Sequence, residues 1–149
     1  MASERRLRVF FDSSALIAGI ASPGGAAGLL LLSAESGVIE TVISRQVLVE
    51  CDRNISAKLP SCLGRFREFI KALNPILEPD PEADAISHWL DVLPAKDTPI
   101  AAAAESSVAD ILVTNDARHF ATDAFMGKTQ FKVLSPGDAL DHLRQWISG

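Results

Sequence analysis

The chain has 149 residues, 48% hydrophobic and 22% charged, with a formal net charge of −5. That balance suits one globular domain and excludes a disordered chain, and nine Gly and eight Pro without a period exclude a collagen-like fibre. No apolar run reaches the ~18 residues of a membrane helix, and the acidic surplus argues against a polyanionic partner on bulk electrostatics alone.

In chain order, Leu7–Phe11 is a short run with β-prone residues, apolar but for Arg8, and predicts a buried strand. Ser13–Ile20 turns helical, with Ala15, Leu16 and Ile20 on one face, and Ser22-Pro23-Gly24-Gly25 breaks it. Ala26–Ser36 predicts a second helix, with Gly37 placed to end it in the left-handed conformation. Val38–Ile43 predicts a second strand, and Ser44 the N-cap of a long helix from Arg45 to about Leu59 with Val47, Leu48, Cys51 and Ile55 inward.

Pro60 opens a helix to about Leu73, with Leu63, Phe66, Phe69 and Ile70 inward. Pro75–Glu78 is a short strand at best. Pro81–Leu93 predicts a helix facing inward with Ile86, Trp89, Leu90 and Leu93. Thr98-Pro99 reads as an N-cap hydroxyl followed by Pro at the first helical position, opening an Ala-rich helix that packs close to a sheet. Asp110–Thr114 and Phe131–Leu134 predict two more strands with an optional helix between them. Pro136 begins a terminal amphipathic helix carrying Ala139, Leu140, Leu143 and Ile147 inward.

Buried strands alternating with helices predict a three-layer α/β/α fold around a parallel sheet of four to five strands, in one domain over residues 1–149. Arg5, Arg6 and Arg8 precede an apolar stretch as in an export signal, but Asp12 interrupts that stretch. Two cysteines, Cys51 and Cys62, are too few for a disulfide scaffold or a zinc site. A cytoplasmic protein is the expectation.

Parallel α/β sheets carry their sites at the carboxyl ends of strands. Asp12 directly follows the first strand, Asp116 lies just past the third main strand, Asp97 precedes the Ala-rich helix, and Glu50 lies in the helix after the second strand. Each has a structural role open to it. Asp12 can cap a helix, Glu50 can pair with Arg53, Asp97 can assist the cap at Thr98, and Asp116 can make an Asx-turn. Together they point further. Two unit charges 4 Å apart interact by about 4 kcal/mol at an effective dielectric of 20. A convergence of carboxylates therefore calls for a proton or a cation. All-oxygen ligands favour Mg²⁺ or Mn²⁺, ions suited to phosphodiester chemistry.

Four segments in this order resemble the PIN-domain family. Phe11-Asp12-Ser13-Ser14-Ala15-Leu16-Ile17 looks like its opening, Val47-Leu48-Val49-Glu50 like its second acidic position, Lys96-Asp97-Thr98-Pro99-Ile100-Ala101-Ala102-Ala103 like its third, and Val113-Thr114-Asn115-Asp116 like its fourth. The resemblance implies Mg²⁺/Mn²⁺-dependent cleavage of RNA to 5′-phosphate and 3′-hydroxyl ends, using one or two ions. It implies Asp12, Glu50, Asp97 and Asp116 as catalytic metal ligands, with Ser14 and Thr114 as supporting hydroxyls. Many small bacterial relatives are VapC-like toxins, so the resemblance also implies a homodimer and a small antitoxin partner.

Charge is distributed unevenly. Residues 45–71 carry six Lys/Arg against three acids, and residues 78–97 carry six acids against Lys96. The basic segment suggests Arg53 and Lys58 as contacts for the RNA backbone, and His119, three residues past Asp116, is a further candidate contact for a phosphate. His119 otherwise reads as an exposed loop residue. Cys51, Trp89 and Trp146 read as packing residues. Two other readings are open: a non-catalytic PIN-like module binding RNA or protein, and an aspartyl phosphotransferase with Asp12 as nucleophile. The second wants another Asp two residues on, where this chain has Ser14.

Overall fold

The computed structural model describes residues 5–149. Five parallel strands form one sheet: β1 (Arg8–Phe11), β2 (Glu40–Ser44), β3 (Ile76–Glu78), β4 (Ile111–Val113) and β5 (Lys132–Leu134), in the spatial order β3-β2-β1-β4-β5. Val9 of β1 faces Thr41 on one side and Ile111 on the other, so β1 lies between β2 and β4. The chain builds outward from β1 to β3, then returns to β1's other side with β4. The order reverses between β1 and β4, and the crevice beyond their carboxyl ends is where such a sheet takes ligands.

Helices cover both faces, so the interior of the sheet is mostly apolar, with Arg8 and Glu40 only where β1 and β2 begin. Phe10, Val42, Ile43, Ile111, Leu112 and Val113 are fully buried. At the edge, Ile76 and Leu77 of β3 are exposed. The helices are α1 (Ser13–Ala21), α2 (Ala26–Glu35), α3 (Arg45–Lys58), α4 (Leu63–Leu73), α5 (Ala83–Ser87), α6 (Thr98–Ser106), α7 (Asp123–Lys128) and α8 (Pro136–Ser148). Among the described residues no single helix is long and apolar enough to cross a membrane.

Local chemistry accounts for most boundaries. Ser44 caps α3 by accepting the Val47 N–H, and Gly37 ends α2 with φ +80°. Ala101–Ala104 are buried to the last residue, so this small-sided stretch of α6 lies in the hydrophobic core. Tight packing also fixes the turn after α1: a Cβ on Gly28 would stand 2.1 Å from the Pro23 carbonyl oxygen.

Three expectations are corrected. The helix from Pro60 begins as a 3-10 turn, Pro60–Cys62, before α4. The helix expected over Pro81–Leu93 is α helical only in α5. Beyond it the Trp89, Leu90 and Val92 amides bond three residues back, which turns the chain more per residue and swings Leu90 outward to 51% exposure. Trp89 itself is fully buried against Phe125 and Phe131. Thr98 is not an N-cap. A 3-10 turn over Ala95–Asp97 already carries the chain into α6, and the buried Thr98 hydroxyl donates to the Ala95 carbonyl instead.

Candidate active site

Asp12 sits at the carboxyl end of β1, where its backbone N–H donates to the Val113 carbonyl of β4. Its Oδ1 accepts the Ala15 N–H at 3.1 Å, so Asp12 does cap α1. The cap leaves capacity over. Oδ1 also accepts the Ser14 hydroxyl at 2.7 Å, and Oδ2 accepts the Thr114 hydroxyl at 2.5 Å. Burial pushes the Asp12 carboxyl above its usual range, and the negative charge of Asp116 pushes the same way; the three donors oppose the shift without cancelling it.

Thr114 links the two strands. Fully buried just past β4, it donates to Asp12 and accepts the Asp116 N–H at 3.1 Å. Asn115 ties the same loop to α1, since its N–H donates to the Ser14 hydroxyl at 3.0 Å and its side-chain amide to the Ser14 carbonyl at 3.3 Å. Asp116 is exposed and its carboxylate accepts no hydrogen bond from the described residues, so it makes no Asx-turn.

Glu50 enters from the neighbouring side. β2 lies beside β1, and α3 carries Glu50 back toward the start of α1. Its Oε2 accepts the Ser13 hydroxyl at 3.0 Å and its Oε1 the Gln46 side-chain amide at 2.9 Å. The ion pair open to it with Arg53 is not formed. Ser13 and Gln46 are the residues that sequence reasoning missed. Two adjacent hydroxyls, Ser13 and Ser14, follow Asp12, and only the helical rotation between them sends one to Glu50 and the other to Asp12. Beneath this layer Cys51 is fully buried, and its thiol is pushed up to about 12 by burial and by the charges of Asp12, Glu50 and Asp52.

Asp97 stands apart. No hydrogen bond links it to the other three acids, and its side chain caps nothing. Its Oδ2 is buried without a hydrogen-bond partner, the one carboxylate oxygen so placed among the described residues. Among those residues no group of three or more His, Cys, Asp or Glu stands close enough to hold a metal ion. The donor chemistry nonetheless fits a hard cation: oxygen atoms only, one of them buried and unsatisfied, others on a carboxyl that burial and, less, a like charge push above its usual range.

The flanking expectations divide. Arg53 is exposed and lines an open hollow with Arg45, Gln46, Val49, Glu50 and Asp80. Lys58 does not reach that hollow and lies in the last turn of α3, where a cation complements the helix dipole. His119 is half-buried in a 3-10 turn, Ala117–Phe120, with its Nδ1 buried and unpartnered, and is therefore not the exposed loop residue expected.

Comparison with known proteins agrees with this fold. A crystal structure of PAE2754 from Pyrobaculum aerophilum superposes with a TM-score of 0.61 at 20% identity, covering 93% of this chain and 90% of the other. A structure of VapBC2 from Rickettsia felis, bound to a DNA fragment from their promoter, gives 0.59 at 18% identity, covering 87% and 98%. No match is found among curated proteins. Residues 8–118, which contain all four acids and both supporting hydroxyls, match the PIN domain family, and the chain belongs to that family.

Proposed function

We propose that the chain is a Mg²⁺- or Mn²⁺-dependent endoribonuclease that hydrolyses RNA phosphodiester bonds. The observation that carries this reading is the hydrogen-bonded set Asp12–Ser14–Thr114–Asp116 at the reversal of strand order, with the unsatisfied Asp97 oxygen at the head of α6. Asp12, Asp97 and Asp116 would hold the cation, and Glu50 would complete its shell directly or through water. When bound, such a cation lowers the pKa of water and neutralises charge on the phosphoryl oxygens. The chain's own part is positioning. Ser14 and Thr114 fix both oxygens of Asp12, Thr114 sets the Asp116 backbone, and Ser13 with Gln46 holds Glu50 toward the same end of the sheet.

Membership of the PIN domain family supports nuclease chemistry. The likeness to VapBC2, a structure of an assembly on promoter DNA, supports a VapC-like toxin with a small antitoxin partner. On this reading the protein works in the cytoplasm as a homodimer. The test is cleavage of RNA with Mn²⁺, with and without EDTA, by the wild type and Asp12→Asn. Cleavage that is lost in EDTA and in the variant is expected. Full activity in Asp12→Asn would overturn the assigned site.

A further inference from the structure

We propose that Arg45, Arg53 and Arg118 form a phosphate grip for single-stranded RNA on the two flanks of the carboxylate site. The identity of the polymer rests on the nuclease reading; the choice of residues rests on which cations this fold leaves uncommitted.

The chain has nine arginines. Six are committed within the protein. Arg5 pairs with Asp110, Arg6 and Arg8 with Glu40, Arg67 with Asp52 and Arg144 with Asp141, while Arg65 donates to the Ile20 carbonyl. Arg45, Arg53 and Arg118 are exposed, and their guanidinium groups have no hydrogen-bond or ion-pair partner among the described residues. Among the described residues the lysines without a side-chain partner are scattered, from Lys58 on α3 and Lys71 on α4 to Lys96 before α6 and Lys132 on β5. The uncommitted arginines are not. Arg45 and Arg53 share an open hollow of about 450 Å³ with Glu50. Arg118 lies two residues past Asp116, in the 3-10 turn after it. Because β1 lies between β2 and β4, α3 and the segment after β4 approach Asp12 from opposite sides.

Local energetics do not explain these placements. Arg45 is the first residue of α3, where the helix dipole opposes a positive charge. Arg53 stands three residues from Glu50, yet Glu50 is turned to Ser13 and Gln46. Asp80 shares the hollow without pairing to either arginine, so the local field is not strongly positive. Phosphate contact would therefore come through directed bonds, which the planar, forked guanidinium makes bidentately. Eight residues of α-helix separate Arg45 from Arg53 by about 12 Å, enough to address different phosphates.

The test measures binding of a labelled single-stranded oligoribonucleotide by fluorescence anisotropy over a range of KCl, in an Asp12→Asn background. Each phosphate contact contributes about 0.7 to the slope of log Kd against log salt. Arg45→Gln with Arg53→Gln is expected to weaken binding and lower that slope by about 1.4, and Arg118→Gln by about 0.7. Lys71→Gln and Arg144→Gln make the same charge change elsewhere and are expected to leave the slope unchanged. In the cleaving protein the arginine variants are expected to raise KM and leave kcat close to wild type. An unchanged slope in the arginine variants, or an equal loss in the two controls, overturns the grip. If RNA is cleaved with wild-type salt dependence by the triple variant, the grip fails and the nuclease reading survives. If RNA is never cleaved but its binding depends on these arginines, the nuclease reading fails and the grip stands.

Discussion

Replacing Thr114 by Val removes one hydroxyl and almost no volume. The side chain is fully buried, so no cavity opens and no water enters. What is lost is the 2.5 Å donation to Asp12 Oδ2 and the acceptor for the Asp116 N–H. A hydrogen bond to a charged group contributes roughly 1.5–3 kcal/mol. Asp116 is exposed, so its amide can turn to water at little further cost. We therefore expect a loss of about 2–3 kcal/mol at neutral pH, or roughly 5–10 °C in Tm for a chain of this size.

The pH dependence makes the prediction sharper. Burial already holds the Asp12 carboxyl above its unfolded value, so the native state binds the proton more tightly and stability falls as the pH rises through that range. The Thr114 hydroxyl opposes this shift, and Val in its place raises the carboxyl further. The penalty should then be larger at neutral pH than in acid, shrinking as the pH falls through and below the ordinary Asp value of about 3.9 and Asp12 takes up its proton in both proteins. Urea unfolding in EDTA at a series of pH values measures it. An equal penalty in acid and at neutrality would refute the argument, because it would mean that the hydroxyl does not stabilise a charge.

Asp12→Asn keeps a good N-cap for α1 and removes a desolvated charge, so in EDTA its Tm should equal or exceed that of the wild type, and a drop would count against the electrostatic account. Gly28→Ala must move the Pro23 carbonyl or α2 itself, at about 1–3 kcal/mol, whereas Gly64→Ala in α4 meets open space and should gain about 0.5–1 kcal/mol; thermal melts of the two should shift in opposite directions. At mildly alkaline pH a thiol reagent should label Cys62 in the native protein and both cysteines in urea, because the Cys51 thiol is buried with its pKa at about 12; rapid native labelling of Cys51 would contradict its placement.

The sheet could be read from sequence because its central strands are buried on both faces, so each carries a short apolar core, Val9–Phe11, Val42–Ile43 and Ile111–Val113. Asp12 and Asp116 could be placed because a parallel sheet presents the residues just past its strands at one edge. What could not be read is contact across the chain. Ser14 and Asn115 bond over a separation of 101 residues, and nothing local at Glu50 distinguishes an ion pair with Arg53 from a bond to Ser13. The same limit explains Leu90: the apolar spacing over residues 86–93 fits a helix, but burial of Trp89 among Phe125 and Phe131 accompanies a tighter turn. Thr98 has the composition of a cap, and only the 3-10 turn before it shows that the helix has already begun.

The net charge of −5 suggested no nucleic-acid partner, and the individual charges explain why that average misleads. Away from the site, Glu40, Asp52, Asp91, Asp110 and Asp141 are each matched by an arginine or lysine. At the carboxyl end of the sheet, among the described residues, Asp12 and Glu50 are held only by hydroxyls and amides, and Asp97 and Asp116 carry an oxygen or a whole carboxylate without a partner. Uncommitted arginines stand beside these acids, yet they do not pair. Exposed ion pairs contribute only about 0–1 kcal/mol, so keeping the two sets apart costs the fold little. An external cation on the acids and an external phosphate on the arginines would satisfy both at once, and a phosphodiester bound with Mg²⁺ or Mn²⁺ brings both charges together.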